Sequence, residues 1–130
     1  MSRALLIIDM QKFVEERIHQ GINYYPRNAI SNMELVLKRF RTNNDLVLHV
    51  RHRTEEPDSS LHPSSPLYPA IEAFREKAHE PVFFKNTSSA FASTGLKAWL
   101  DSHFISEVFV IGAVAGFCVN STVREGSDLG

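Results

Sequence analysis

Asp9, Lys85 and Cys118 lie far apart in the chain, yet each follows an apolar segment of strand-like composition. Asp9 directly follows Ala4–Ile8, Lys85 directly follows Val82–Phe84, and Cys118 lies a few residues past Val108–Ile111. Together the three can activate a thiol. A free cysteine titrates near pH ~8.5 and is mostly protonated at neutrality. A carboxylate can remove that proton, while an ammonium and a helix start both favour the thiolate. The small residues Gly112-Ala-Val-Ala-Gly116 before the cysteine would let backbone N–H groups approach a developing oxyanion. Each residue alone has a plainer explanation. A lone cysteine usually packs as a small hydrophobe, an acid after a strand often caps a turn, a lysine at a strand end is commonly solvated, and glycines serve turns. The case rests on their shared position.

That position depends on the elements around them. Ala4–Ile8 is a continuous apolar run without alternation, the pattern of a strand buried on both faces of a parallel sheet. Residues 12–25 are mixed and polar and read as a loop. Pro26 suits a helix start, and Ile30, Met33, Val36, Leu37 and Phe40 recur at helical spacing, with Asn43-Asn44 as the stop. Leu46–Val50 reads as a second strand. Residues 53–69 are rich in proline and serine and read as a long surface loop of the kind that often carries function. Ile71, Phe74 and Ala78 mark a short helix, and Val82–Phe84 a third strand. Ser93 is a candidate cap for a helix carrying Leu96, Trp99 and Leu100. Val108–Ile111 is a fourth strand, and Cys118 opens a last helical stretch. Strands alternating with helices predict an α/β domain with a mostly parallel sheet. In such a sheet ligands bind beyond the carboxyl ends of the strands, where all three reactive residues fall.

Composition narrows the function classes. The 130 residues suit a single domain spanning 1–130. Fourteen basic residues against fifteen acidic ones leave no bulk charge for nucleic acid or membrane surfaces. A single cysteine excludes an intrachain disulfide and suits a reducing compartment. The N-terminal apolar run is too short for a signal peptide, so a soluble cytoplasmic protein is expected.

Three segments carry a family likeness: Ala4 to Phe13 (ALLIIDMQKF), Phe84-Lys85 followed by Ser88-Ser89-Ala90-Phe91, and Ile111 to Thr122 (IGAVAGFCVNST). In order and spacing they resemble the isochorismatase-like cysteine hydrolases, the superfamily of nicotinamidases and N-carbamoylsarcosine amidohydrolase. The Arg51-His52 and Ser60–Pro63 stretches are similar too. The resemblance implies a three-layer α/β/α architecture with an open, mostly parallel, Rossmann-like sheet. It implies a catalytic triad of Asp9, Lys85 and Cys118, in which Asp9 takes the thiol proton and later passes it to the leaving amine. Lys85 would stabilise the thiolate, and Cys118 would attack the substrate carbonyl to form a thioester. It also implies a cis peptide between Ala113 and Val114, with the N–H groups of Val114 and Cys118 as the oxyanion hole. Self-association into dimers or tetramers is implied as well.

Two departures accompany the likeness. Metal-binding nicotinamidases carry an Asp-x-His pair where this chain has His52-Arg53-Thr54, so no metal is expected despite His49, His52 and His62. No other cofactor is expected. Family domains continue beyond this length, so the sheet is expected to lack its C-terminal strands. Gln11, Phe13, His52 and Phe117 are candidate substrate-lining residues. The expected activity is hydrolysis of a C–N bond in a small amide, ureide or carbamoyl compound. The alternatives are a non-catalytic binding or assembly protein that kept the fold, and vinyl-ether hydrolysis of the isochorismate type, which does not use the cysteine.

Overall fold

In a computed structural model, residues 2–19, 29–59, 61–85 and 95–112 are described. The elements are β1 (Ser2–Ile8), α1 (Lys12–His19), α2 (Ala29–Thr42), β2 (Leu46–His52), a 3-10 turn at Glu72–Phe74, β3 (Val82–Lys85), α3 (Leu96–Ser102) and β4 (Ile105–Gly112). The strands form one sheet in the order β3-β2-β1-β4. All its pairings are parallel.

β1 sits inside the sheet, and its side chains divide between two cores. Leu5 and Ile7 join Val47 against Phe13, Val14, Leu37, Phe40 and Phe74 on the α1 and α2 side. Ala4, Leu6 and Ile8 join Leu48 and Val50 against Leu96 and Leu100 of α3 on the other side. A strand packed on both faces has no position for a polar alternation, which is why its sequence is uninterrupted. The result is the three-layer α/β/α arrangement with a parallel sheet.

α2 ends as its sequence predicts. Asn44 takes a left-handed φ of 57°. The Asn44 N–H donates to the Arg41 carbonyl at 3.1 Å and the Asp45 N–H to that of Phe40 at 2.9 Å, the double closure of a Schellman stop. The expected helix start at Pro26 lies outside the described residues.

Three expectations are corrected. Residues 12–19 form α1 rather than a loop. Its first-turn N–H groups are met by the following loop: Lys12 N–H donates to Pro69 O at 2.8 Å and Phe13 N–H to Leu67 O at 3.0 Å. Both acceptors lie more than fifty residues further along the chain, so this part of the helix start has no local signal. The helix expected at 71–78 is only the turn Glu72–Phe74, and it stops because Arg75 is extended. α3 has Gly95, not Ser93, at its N-cap, and no side-chain cap bond; Ser93 itself lies outside the described residues.

β4 closes on β1 at a point that tolerates no side chain. Gly112 pairs with Ile8, the residue before Asp9. A Cβ at Gly112 would lie 2.2 Å from the Ile8 carbonyl oxygen. A backbone atom cannot swing aside, so Gly112→Ala should destabilise the fold by about 1–3 kcal/mol or more, as overpacking does. A urea midpoint equal to that of the wild type would refute this.

Candidate active site

A parallel sheet brings all its carboxyl ends to one edge, and here that edge gathers Asp9, His52 and Lys85. Asp9 follows β1 with φ of 56°. Aspartate is one of the few residues that enters this region at modest cost. Its N–H donates to Val50 O at 2.9 Å, and its carbonyl accepts from Gln11 N–H at 2.8 Å, so the turn is fixed by backbone bonds to β2 and to the start of α1. Such local strain is concentrated at functional positions.

Asp9 and Lys85 form an ion pair, Oδ2 to Nζ, at 3.1 Å. Both side chains are almost wholly removed from solvent, at 2% and 0% exposure. Two charges held this way are costly unless paired and hydrogen-bonded. One lone-pair site stays unused: Asp9 Oδ1 is buried and has no hydrogen-bond partner among the described residues. An orphaned buried acceptor is rare and calls for an explanation.

His52 lies beside Lys85 because the two are register partners across β2 and β3. Its Nδ1 is 3.1 Å from Lys85 Nζ. An ammonium only donates, so Nδ1 accepts and the ring proton sits on Nε2. Burial lowers the imidazole pKa, and the Lys85 charge lowers it further against the opposing pull of Asp9. The ring is therefore neutral at pH 7.

The remaining expected residues separate. Gln11 is fully buried, and its amide is used by backbone groups. It donates to His52 O at 3.2 Å and to Tyr68 O at 2.7 Å, and it accepts from His52 N–H at 2.9 Å. It braces the site from behind. Phe13 packs in the α1–α2 core. Ala113, Val114, Phe117 and Cys118 lie outside the described residues. His49 bonds Glu80 at 2.8 Å, and His62 bonds Ser64 at 2.7 Å.

Sequence reasoning missed the wall beside Lys85. A cleft of about 650 Å³ is lined by Arg53, Thr54, Glu56, Phe84 and Lys85, among others. Phe84 stacks on Tyr68 with ring centroids 6.5 Å apart. The Arg53 guanidinium lies 5.3 Å from the Phe84 centroid. Phe84 was legible as a strand residue and as part of the Phe84-Lys85 motif, but nothing local announces that the 53–69 loop brings Tyr68 to it.

The isochorismatase domain model matches residues 3–130 of this chain. The protein belongs to the isochorismatase family. Its fold is similar to that of a protein described as an isochorismatase-family hydrolase from Chromobacterium violaceum, with a TM-score of 0.91 and 30% identity. That likeness covers 99% of this chain and 66% of the other. N-carbamoylsarcosine amidase from Thermoplasma acidophilum is similar over 97% of this chain and 76% of its own, with a TM-score of 0.79 and 25% identity. The uncharacterized isochorismatase family protein YrdC of Bacillus subtilis is 26% identical over 132 residues, covering 99% of this chain and 68% of the relative. The chain thus spans about two thirds of the length of the family members it matches.

Proposed function

We propose that the protein is a cysteine-dependent hydrolase of a small amide, ureide or carbamoyl compound, acting through Asp9, Lys85 and Cys118. The observation that supports this most is the buried Asp9–Lys85 pair, with an Asp9 oxygen that has no partner among the described residues. A carboxylate with one oxygen held by an ammonium and the other left open is suited to accept a proton from a thiol. Similarity to an N-carbamoylsarcosine amidase adds weight to a C–N bond as the target.

In this reading Asp9 takes the Cys118 proton, and Lys85 offsets the thiolate charge. The sulfur attacks the substrate carbonyl, and the backbone N–H groups of Val114 and Cys118 hold the oxyanion. Asp9 returns its proton to the nitrogen as the C–N bond breaks, and the amine leaves. A water, deprotonated by Asp9, then adds to the thioester carbonyl. The acid is released and the proton returns to sulfur. The chemistry needs a reduced thiol, which fits a reducing compartment. No described helix is long and apolar enough to cross a membrane.

The test is the pH dependence of iodoacetamide alkylation at Cys118, the sole cysteine. The expected result is an apparent thiol pKa below ~8.5 that shifts in Asp9→Asn, where the carboxylate beside the Lys85 ammonium is gone. Release of ammonia or amine from small amides should vanish in Cys118→Ser. An ordinary thiol pKa, unmoved by Asp9→Asn, would refute the hydrolase reading and favour a non-catalytic protein.

A further inference from the structure

Lys85 carries the pair that the proposed chemistry needs, and something must hold its flexible stem in one place. Its side chain has four rotatable carbon links and is wholly buried. The pair with Asp9 at 3.1 Å fixes one of its three N–H donors. The second contact of known geometry is His52 Nδ1, also at 3.1 Å. We propose that His52 is a positioning residue, whose Nδ1 lone pair holds the Lys85 ammonium against Asp9 in the orientation that activates Cys118. The inference rests on the hydrolase reading above.

Three features carry it. First, His52 is itself immobilised. Gln11 bonds its main chain on both sides, at 2.9 Å to the N–H and 3.2 Å to the carbonyl. Second, the strand end is locked in register: Arg53 N–H donates to Lys85 O at 2.8 Å. A chain of contacts therefore runs from Gln11 to His52, from His52 to Lys85 and from Lys85 to Asp9. Third, the imidazole is in the right protonation state. The charged groups that act on it are Lys85 from β3 and Asp9 from the end of β1, and burial with Lys85 keeps it neutral. An imidazolium would present a proton to an ammonium, and the contact would become repulsive.

The role is separable from simple space-filling. His52→Asn places an amide oxygen near the position of Nδ1, whereas His52→Leu keeps bulk and removes the acceptor. The readout is Cys118 alkylation by iodoacetamide across pH, with Lys85→Met as reference and circular dichroism to confirm folding. His52→Leu should slow alkylation at pH 6.5 by about tenfold, the size expected for a lost bond to a charged group, and shift the thiol pKa in the same direction as Lys85→Met. His52→Asn should recover most of the wild-type rate. If His52→Leu matches the wild type while Lys85→Met shifts, the His52 role is overturned and the hydrolase reading stands. If folded His52→Asn is as slow as His52→Leu, the acceptor role is overturned as well. If the wild-type thiol is ordinary and Lys85→Met changes nothing, both fall. Should His52→Leu fail to fold, NMR titration of the His52 ring decides. Its pKa should rise in Lys85→Met, and an unmoved value overturns the contact.

Discussion

Lys85→Met should lower the unfolding free energy by about 3–5 kcal/mol, the usual consequence of removing one partner from a buried ion pair. The loss has little to do with the pair's own worth. Asp9 is buried at the end of β1, with one oxygen unpartnered among the described residues and the other held by Lys85. Methionine fills much of the lysine volume but leaves a carboxylate with neither oxygen satisfied. The double variant Asp9→Asn/Lys85→Met removes both charges, so it should be more stable than the sum of the single effects implies. The coupling is expected to reach about 2 kcal/mol or more, near the upper end for contacting groups. Denaturant titration of the four proteins measures it. Additive effects would mean that the two charges do not depend on each other in the folded state. Cys118 alkylation should be slowed in Lys85→Met and remain slow in the double variant, because stability recovered without charge does not restore thiol activation.

The sheet and the pair were both legible in the sequence, for the same physical reason. A run such as Ala4–Ile8 can only be buried on both sides, and a charged residue ending such a run must fall at the sheet edge. The two termini Asp9 and Lys85 then meet because β1, β2 and β3 are parallel neighbours. What stayed hidden is tertiary. α1 starts on carbonyls of residues 67 and 69, which no local pattern announces. Gln11 looked like a pocket residue because its position near Asp9 is visible and its backbone bonds are not. His52 looked like a lining residue for a similar reason. Its partner is fixed by the β2–β3 register, and register needs the paired strand as well as the strand itself.

Acid should unfold the protein through a second polar cluster, on the face of β2 that packs toward α2. Glu80 is 5% exposed. It binds Arg41 at 2.6 and 2.8 Å, His49 at 2.8 Å and the Lys77 N–H at 3.0 Å. Burial pushes its carboxyl up, but the bonds from Arg41, Lys77 and His49 outweigh this and hold it at about 2, against an ordinary 4.5. A depressed carboxylate contributes stability that is complete above the unfolded pKa and is lost as pH falls toward the folded one. That window runs from about 4.5 down to about 2, and its size is about 3 kcal/mol. His49 acts in the same direction. Burial, against the pull of Glu80, lowers its pKa below 6.5, so the unfolded chain binds a proton the folded one rejects, and stability already falls as pH drops below that value. Glu80→Gln should therefore cost about 3 kcal/mol at pH 7 and roughly half as much or less at pH 3, where the wild type has already lost more than half of that contribution. Urea titrations of both proteins at the two pH values decide it, and an equal gap at both would show that the carboxylate charge is not what holds the cluster. The cluster matters to the site because His49 and His52 share one strand: what fixes β2 against α2 also fixes the strand end from which His52 reaches Lys85.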